Sequence, residues 1–373
     1  MKRAFITQGI RTAFTRANKG ALAQTRPDDL LAELFKSLLS NNKTGEAQEV
    51  IIGCAYPEGE QGYNIARMAA LGAGVNLPGL TVNRLCASSL EAVLLASHRV
   101  KLGMSEVGLT GGVESMSRIT RRGAGFSESE AIANVSPKAY VGMGDTAEYV
   151  AGKYPEITRE IQEEFSARSH ELAFKAYEAG YYERQIQDLA GRGDEGIRYP
   201  VNREKMSTLK PAFQEDGSVT AATSSPLSDG ACAALVVSEE CLKSAGEQDG
   251  IEIIDAAVGA VEPELMGLGP VPATRTLLKR QSLEAKDIRV VEMNEAFAVQ
   301  VLACNRELSF DPDTINCWGG AIAIGHPLGA SGLRLAMTVH DRLMSQETGS
   351  LGLATLCVGG GQGLSVLFRK TSL

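Results

Sequence analysis

Histidine is scarce in this sequence, with four in 373 residues, and tryptophan occurs once. The seven cysteines are an odd number, and no two of them form a Cys-x-x-Cys pair. Zinc-ligand spacing is therefore missing, which argues against a structural metal and for free thiols in a reducing compartment. No stretch approaches the ~18 consecutive apolar residues of a membrane-spanning helix. The opening residues, MKRAFITQGIRTAF, lack the apolar core of a secretory signal. A cytoplasmic protein is the expectation. Basic residues are outnumbered, 37 against 45 acidic, for a net charge of −8. Such a balance gives no bulk attraction for nucleic acid or anionic lipid.

What is present is the composition of a globular enzyme, with 44% hydrophobic and 22% charged residues. The length implies more than one core. Many of the 40 glycines fall in short runs, at 111–112, 319–320 and 359–361, and read as tight loops at chosen places. Apolar β-branched runs alternate with helical patterns. Strands are predicted at Arg3–Thr7, Glu49–Gly53, Thr81–Asn83, Val107–Gly111, Ala233–Val237, Ile251–Ala260, Arg289–Met293, Ser350–Cys357 and Gly363–Phe368. Helices are predicted at Asp28–Leu39, Ala87–Leu102, Thr158–Ala179, Pro272–Arg280, Ala296–Leu308 and Ser331–Met344. The alternation predicts an α/β protein with a mostly parallel sheet, mixed at its closing pair. Strand signals fade between Ile119 and Ala222, where Tyr154–Gln185 reads as one exposed amphipathic helix with Ile161, Phe165, Leu172 and Tyr177 on one face. The expected division is an α/β half begun by 1–118 and completed by 223–250, an insertion at 119–222, and a second α/β half at 251–373. Thr81–Cys86 and Ala354–Cys357 are both strand runs ending at cysteine, a faint sign of duplication.

Three segments carry chemistry. Cys86 lies between a strand and a helical pattern in which Leu90, Val93, Leu94 and Ser97 share a face. A thiol at a helix N-terminus meets unpaired N–H groups, which favour thiolate and a nucleophilic role; a buried cysteine that simply packs gives the same pattern. In GGAIAIGHPLGASG (319–332), His326 sits between glycine and proline in a loop open to close approach, with Ser331 as N-cap of the next helix. His98, His170 and His340 fall inside helical patterns and read as packing or surface residues. A second cysteine, Cys357, ends a strand against Gly359–Gly361, whose N–H groups suit an oxyanion. Asn294 and Glu295 stand at a strand-to-helix switch, as caps or as site residues.

Taken together, VNRLCASS (82–89), GGVESMS (111–117), NEAFA (294–298), the histidine loop and LCVGGGQG (356–363) resemble the thiolase family, in the family's order and over essentially the whole chain. LKPAF (209–213), SSPLSDGA (224–231) and MGLGPVPA (266–273) add to the resemblance. It implies two similar βαβαβαββ halves packed as an α/β/α/β/α core, with the inserted loop domain covering coenzyme A. It implies Cys86 as the acylated nucleophile, His326 as its base, Cys357 as a second acid/base and Asn294 holding a water in one oxyanion hole. The N–H groups of Cys86 and Gly359 would form the other hole. Ser225, Met143, Phe213, Ala296 and Phe297 match positions that line the pantetheine channel.

The implied reaction is thiolytic cleavage of a 3-ketoacyl-CoA to acyl-CoA and acetyl-CoA, or the reverse condensation, with CoA as substrate and no cofactor or metal. Ser88-Ser89, Thr223–Asp229 and Gly142 before Met143 favour the degradative over the biosynthetic acetoacetyl-CoA branch. A homodimer or homotetramer is implied, and a hydratase/dehydrogenase subunit is a candidate partner. A ketoacyl synthase would carry a second histidine or asparagine where Cys357 stands. A non-catalytic lipid-binding scaffold would lack one of the chemical residues. A cysteine peptidase gives no account of Cys357.

Overall fold

A computed structural model describes residues 2–120, 122–187, 189 and 193–373. Its strands are β1 (Ala4–Ile6), β2 (Ile10–Thr12), β3 (Thr15–Arg16), β4 (Glu49–Gly53), β5 (Gly79–Val82), β6 (Val107–Ser115), β7 (Ile186–Gln187), β8 (Ser228–Ser238), β9 (Asp249–Ala260), β10 (Ile288–Met293), β11 (Leu351–Val358) and β12 (Gln362–Ser372). The main path runs β10-β11-β12-β9-β1-β8-β6-β4-β5, and β1 joins its two parts by pairing antiparallel with both β8 and β9. The sheet is not mostly parallel as expected. β4 lies parallel to β5 and β6 and β10 to β11, but β6–β8, β8–β1, β1–β9, β9–β12 and the hairpin β11–β12 are antiparallel. The reason is that β1, β8, β9 and β12 are long-range partners, whose directions no local pattern reports.

The order reveals a duplication. From the outer edge, the first part reads β5-β4-β6-β8-β1. The second reads β10-β11-β12-β9, with Ile315 bridging Val291 in parallel where the counterpart of β5 belongs. Asn316 extends that one-residue strand with its side chain, taking the Met293 N–H at 2.9 Å and donating to the Met293 carbonyl at 2.8 Å. The two cysteines that hinted at duplication are not equivalent, however. Cys86 follows β5, whose counterpart is the Ile315 bridge, whereas Cys357 lies near the end of β11, whose counterpart is β6. Both are strand ends because strand ends open onto one site.

Alternating side chains divide the core into three layers. Ile51, Cys232, Ala234, Val236, Leu356 and Leu364 face inward onto the helices Ser88–Lys101 and Leu328–Met344. Val50, Ile52, Leu109 and Leu235 face outward onto Pro27–Ser40 and Ile65–Gly72. Leu353 and Leu367 face the other outer layer, with Leu277 and Val301. A period of two along strands buried on both faces needs apolar side chains everywhere, which is why these strands read as continuous apolar runs. The predicted strands and helices are present. Short elements were missed, among them β2, β3, β7 and the helices Ile65–Gly72, Glu130–Val135, Met143–Lys153, Arg203–Ser207, Glu239–Ser244 and Ala321–Ile324.

The amphipathic helix of the 119–222 segment is shorter than expected, Arg159–Glu178, and buries a different face. Its buried residues include Gln162, Ser166, Ser169, His170 and Ala173, while Ile161 is exposed. The helix lies so close to the histidine-loop glycines that a Cβ on Gly319 would sit 2.6 Å from the Ala173 Cβ. Small side chains are required on that face, and an apolar stripe is the wrong signal for such a contact. The segment is also tied to the N-terminus by a fully buried ion pair. Arg11 donates to both carboxylate oxygens of Asp194, at 2.7 and 2.8 Å, and Asp194 also takes the Phe14 N–H at 2.7 Å. Burial alone would lower the Arg11 pKa, but the Asp194 carboxylate more than reverses it.

Candidate active site

Cys86 occupies a single 3₁₀ turn, Leu85–Ala87, between β5 and the helix Ser88–Lys101. The chain turns at Leu85, which has φ 45°, a left-handed conformation that costs a branched residue on the order of 1 kcal/mol or more. Neighbouring side chains enforce it. The Leu85 N–H donates to Asn83 Oδ1 at 2.8 Å, and Asn83 Nδ2 donates to the Ala55 carbonyl at 3.0 Å. Ser88 Oγ takes the Arg84 N–H at 2.9 Å and donates to the Leu85 carbonyl at 2.6 Å.

The expectation that a helix terminus lowers the Cys86 pKa is overturned. Burial pushes the thiol up to about 12, against the opposing pull of the Gly359 N–H and its own N–H, and with a further rise from Glu114. Cys86 lies one residue before the N-cap Ala87; the residue as a whole keeps partial exposure, but its thiol loses more hydration than these N–H groups return. At neutral pH the resting residue is a thiol. Cys357, near the end of β11, is buried, and its thiol is pushed well above 9 by burial and then by the neighbouring Cys86 and Cys304.

His326 is held from three directions. Its N–H donates to Ser228 Oγ at 3.1 Å. Its Nδ1 lies 2.6 Å from Ser331 Oγ, which is itself 2.8 Å from the Pro327 carbonyl. A carbonyl only accepts, so the Ser331 hydroxyl proton points at Pro327 and its lone pair faces His326. Nδ1 therefore carries the ring proton and Nε2 holds a lone pair. Nε2 lies 3.3 Å from Asn294 Nδ2. Burial, with the nearby Arg334 charge, lowers the His326 pKa to about 3, so the ring is neutral at rest. Ser331 is thus not the N-cap expected of it. The helix starts at Leu328 after Pro327, and Ser331 sits inside its first turn, where it fixes the tautomer. Replacing Ser331 with Ala should leave the melting temperature nearly unchanged and lower turnover roughly tenfold, as expected when one orienting hydrogen bond is lost. Steady-state assay beside a thermal melt checks this.

Neither Asn294 nor Glu295 caps the following helix, which begins at Ala298 after Phe297. The Asn294 N–H is anchored on the Thr355 carbonyl at 2.9 Å, while its Oδ1 is buried without a hydrogen-bond partner among the described residues. A buried acceptor of that kind marks a place for a water or a ligand donor. Glu295 is a structural hub: it takes Ser169 Oγ at 2.6 Å, Asn316 Nδ2 at 2.9 Å and the Ile322 N–H at 3.2 Å. Behind His326, the Glu292 carboxylate lies between Arg334 at 3.4 Å and Arg342 at 2.8 Å. Trp318 packs outside this layer, stacked on Tyr181 with ring centroids 4.6 Å apart.

The residues matched to a pantetheine channel also gather. Phe213 and Phe297 meet edge to face at 5.9 Å, the Ser225 N–H donates to the Ala296 carbonyl at 3.0 Å, and Met143 opens a helix beside Gly359. Among the described residues no hydrogen bond joins the His326 ring to the Cys86 sulfur: His326 is linked to Asn294, and the Cys86 thiol to the Gly359 N–H and, through space, to Cys357. Sequence reasoning missed Ser228 and the orienting role of Ser331. It also passed over Glu114, although both Ser331 and Glu114 lie inside motifs it quoted.

Repeated α/β halves, with two thiols and a carboxamide at or near strand ends and an imidazole in a loop between helices, define an α/β enzyme. Residues 4–240 match the thiolase N-terminal domain and residues 249–370 the thiolase C-terminal domain. A 3-ketoacyl-CoA thiolase of Bacillus subtilis (strain 168) is 39% identical over 392 residues, covering 99% of this chain and 100% of that protein. A 3-ketoacyl-CoA thiolase of Cronobacter sakazakii is 42% identical over 389 residues, with 99% and 100% covered. The crystal structure of the Bacillus anthracis acetyl-CoA acetyltransferase superposes with a TM-score of 0.88 at 35% identity, covering 99% of each chain. The chain belongs to the thiolase family. No helix among the described residues is long and apolar enough to cross a membrane.

Proposed function

We propose that this chain cleaves 3-ketoacyl-CoA with CoA to give acyl-CoA and acetyl-CoA, in the degradative manner of the relatives named 3-ketoacyl-CoA thiolase. The observation that carries the catalytic reading is the His326 ring, pinned by Ser331 so that Nε2 keeps its lone pair and is turned to the Asn294 amide N–H at 3.3 Å. In the first half-reaction the Cys86 proton passes to His326 Nε2 and the thiolate attacks the 3-keto carbon. The C2–C3 bond breaks, the acyl group stays on Cys86, and the acetyl-CoA enolate takes its proton from the Cys357 thiol. In the second, the Cys357 thiolate takes the proton of incoming CoA, whose sulfur attacks the acyl-enzyme. The released Cys86 thiolate recovers its proton from the His326 imidazolium. A thiolate both attacks and leaves well, so a thioester exchanges onto Cys86 at little cost.

Each oxygen that gains charge needs donors. A water held by Asn294 and His326 would serve one oxyanion, and the N–H groups of Cys86 and Gly359 the other. Ser225, Met143, Phe213, Ala296 and Phe297 would line the pantetheine channel, beneath the 119–222 segment. A homodimer or homotetramer, and a hydratase/dehydrogenase partner, follow from the family resemblance and are open to sedimentation and co-purification.

Loss of ketoacyl-CoA absorbance, with free CoA and either acetoacetyl-CoA or a long-chain 3-ketoacyl-CoA, tests the proposal. Faster cleavage of the long chain supports the degradative reading. Cleavage of acetoacetyl-CoA alone points to the biosynthetic branch, and inactivity of folded protein on both sinks the proposal.

A further inference from the structure

We infer that Glu114 is a positioning residue that braces the Cys86 turn and the His326 loop against one another. Glu114 stands near the end of β6 and is buried, yet four N–H donors from other segments converge on its carboxylate. Oε2 accepts the Ala55 N–H and the Gly329 N–H, both at 2.9 Å. Oε1 accepts Gln61 Nε2 at 2.7 Å and the Tyr56 N–H at 3.3 Å. The carboxylate thus spans both segments: Oε2 holds the first turn of the histidine helix and the Ala55 N–H, while Oε1 holds the Ala55–Tyr56 peptide, whose carbonyl receives Asn83, the side chain that holds Leu85 and the Cys86 turn. The two chains cross tightly here. A Cβ on Gly329 would lie 2.3 Å from the Val113 carbonyl oxygen, and one on Gly112 would lie 2.2 Å from the Gly329 carbonyl oxygen. Only glycine permits the contact.

Four N–H donors match a carboxylate and not a carboxylic acid, whose O–H would oppose one of them. The titratable groups facing Glu114 are the thiols of Cys54 and Cys86, and among the described residues it forms no ion pair. Burial raises its pKa to about 7, partly offset by its hydrogen bonds, that from Gln61 first. The same charge that braces the site opposes ionisation of Cys86. Bracing and electrostatics therefore act on the nucleophile in opposite directions, which separates this role from ordinary structural support. The turnover part of this inference rests on the proposed thiolase reaction; the reactivity of Cys86 does not.

The test compares wild type, Glu114→Gln and Gln61→Leu. The rate at which iodoacetamide labels Cys86, followed by the mass of its tryptic peptide, is measured across neutral pH beside thiolysis. In wild type the labelling rate should rise less steeply once Glu114 ionises, with a break near its pKa of about 7. Glu114→Gln should lack the break and label several-fold faster on the alkaline side. Its thiolysis should fall at least about tenfold, because an amide N–H then opposes a backbone donor. Gln61→Leu, with one donor to the carboxylate removed, should shift the break upward. Labelling that is identical in all three proteins overturns the inference, as does wild-type turnover in Glu114→Gln. If Glu114→Gln does not fold, the break in wild type and its shift in Gln61→Leu decide. Wild type that shows the break yet cleaves no ketoacyl-CoA retains the brace and refutes the proposed reaction instead.

Discussion

Replacing Cys86 with Ala should abolish thiolysis, by at least roughly 10⁴, and should also abolish any mass increase on incubation with acyl-CoA. Replacing Cys357 with Ala should separate the two. That variant should still gain one acyl mass, because Cys86 and His326 suffice to exchange a thioester. It should lose carbon–carbon cleavage to a similar degree, because no group remains to protonate the enolate carbon. Both thiols are protonated at rest, Cys86 with its pKa raised to about 12 by burial, so neither step draws on a standing thiolate. Proton transfer within the site must accompany each attack. Intact-protein mass spectrometry with a thiolysis assay checks both variants. Acylation that survives in Cys86→Ala would move the nucleophile elsewhere, and full cleavage by Cys357→Ala would remove Cys357 from the mechanism.

Replacing Asp194 with Ala should destabilise the protein by about 3–5 kcal/mol, the range for leaving one member of a buried ion pair alone. Arg11 and Asp194 are each fully buried as side chains, and Arg11 has no second carboxylate within reach among the described residues. Its guanidinium packs over Phe14 and Tyr182, at 5.0 and 5.3 Å from the ring centroids, so it has no route to water without unpacking both. The expected result is a clear drop in melting temperature and early loss of the contact between the N-terminal strands and the 119–222 segment, read by hydrogen exchange at β2 and β7. The double variant Arg11→Met with Asp194→Leu should recover part of the loss, since an apolar pair of similar volume removes the stranded charge. A melting temperature unchanged in Asp194→Ala would show that the pair contributes nothing to stability.

The strand–helix alternation and the candidate site residues are legible in the sequence, whereas the two related halves were only hinted at there and are established by the strand order. The legible signals are local: β-branched runs between glycines, helical periodicity, and rare residue types set in loops. Cys86, His326, Asn294 and Cys357 stand out in the sequence as a set: alone, Cys86 reads equally as a packed thiol and Asn294 as a cap, and it is the ordered motifs resembling the thiolase family that single them out. What tertiary structure alone decided is how these groups meet and in which protonation state. The thiol of Cys86 goes up rather than down because the fold desolvates it and sets Glu114 near it, neither of which its own segment reports. Ser331 orients His326 instead of capping a helix because Pro327 opens the helix one turn earlier. The buried face of the helix Arg159–Glu178 is lined by small and polar residues because Gly319 comes so close, and no hydropathy pattern reports the proximity of another backbone. Glu114 reads in sequence as one more acidic residue among 45 Asp and Glu. Only the fold aims four N–H donors at it, since hydrogen bonds between distant segments leave no periodic trace in the chain.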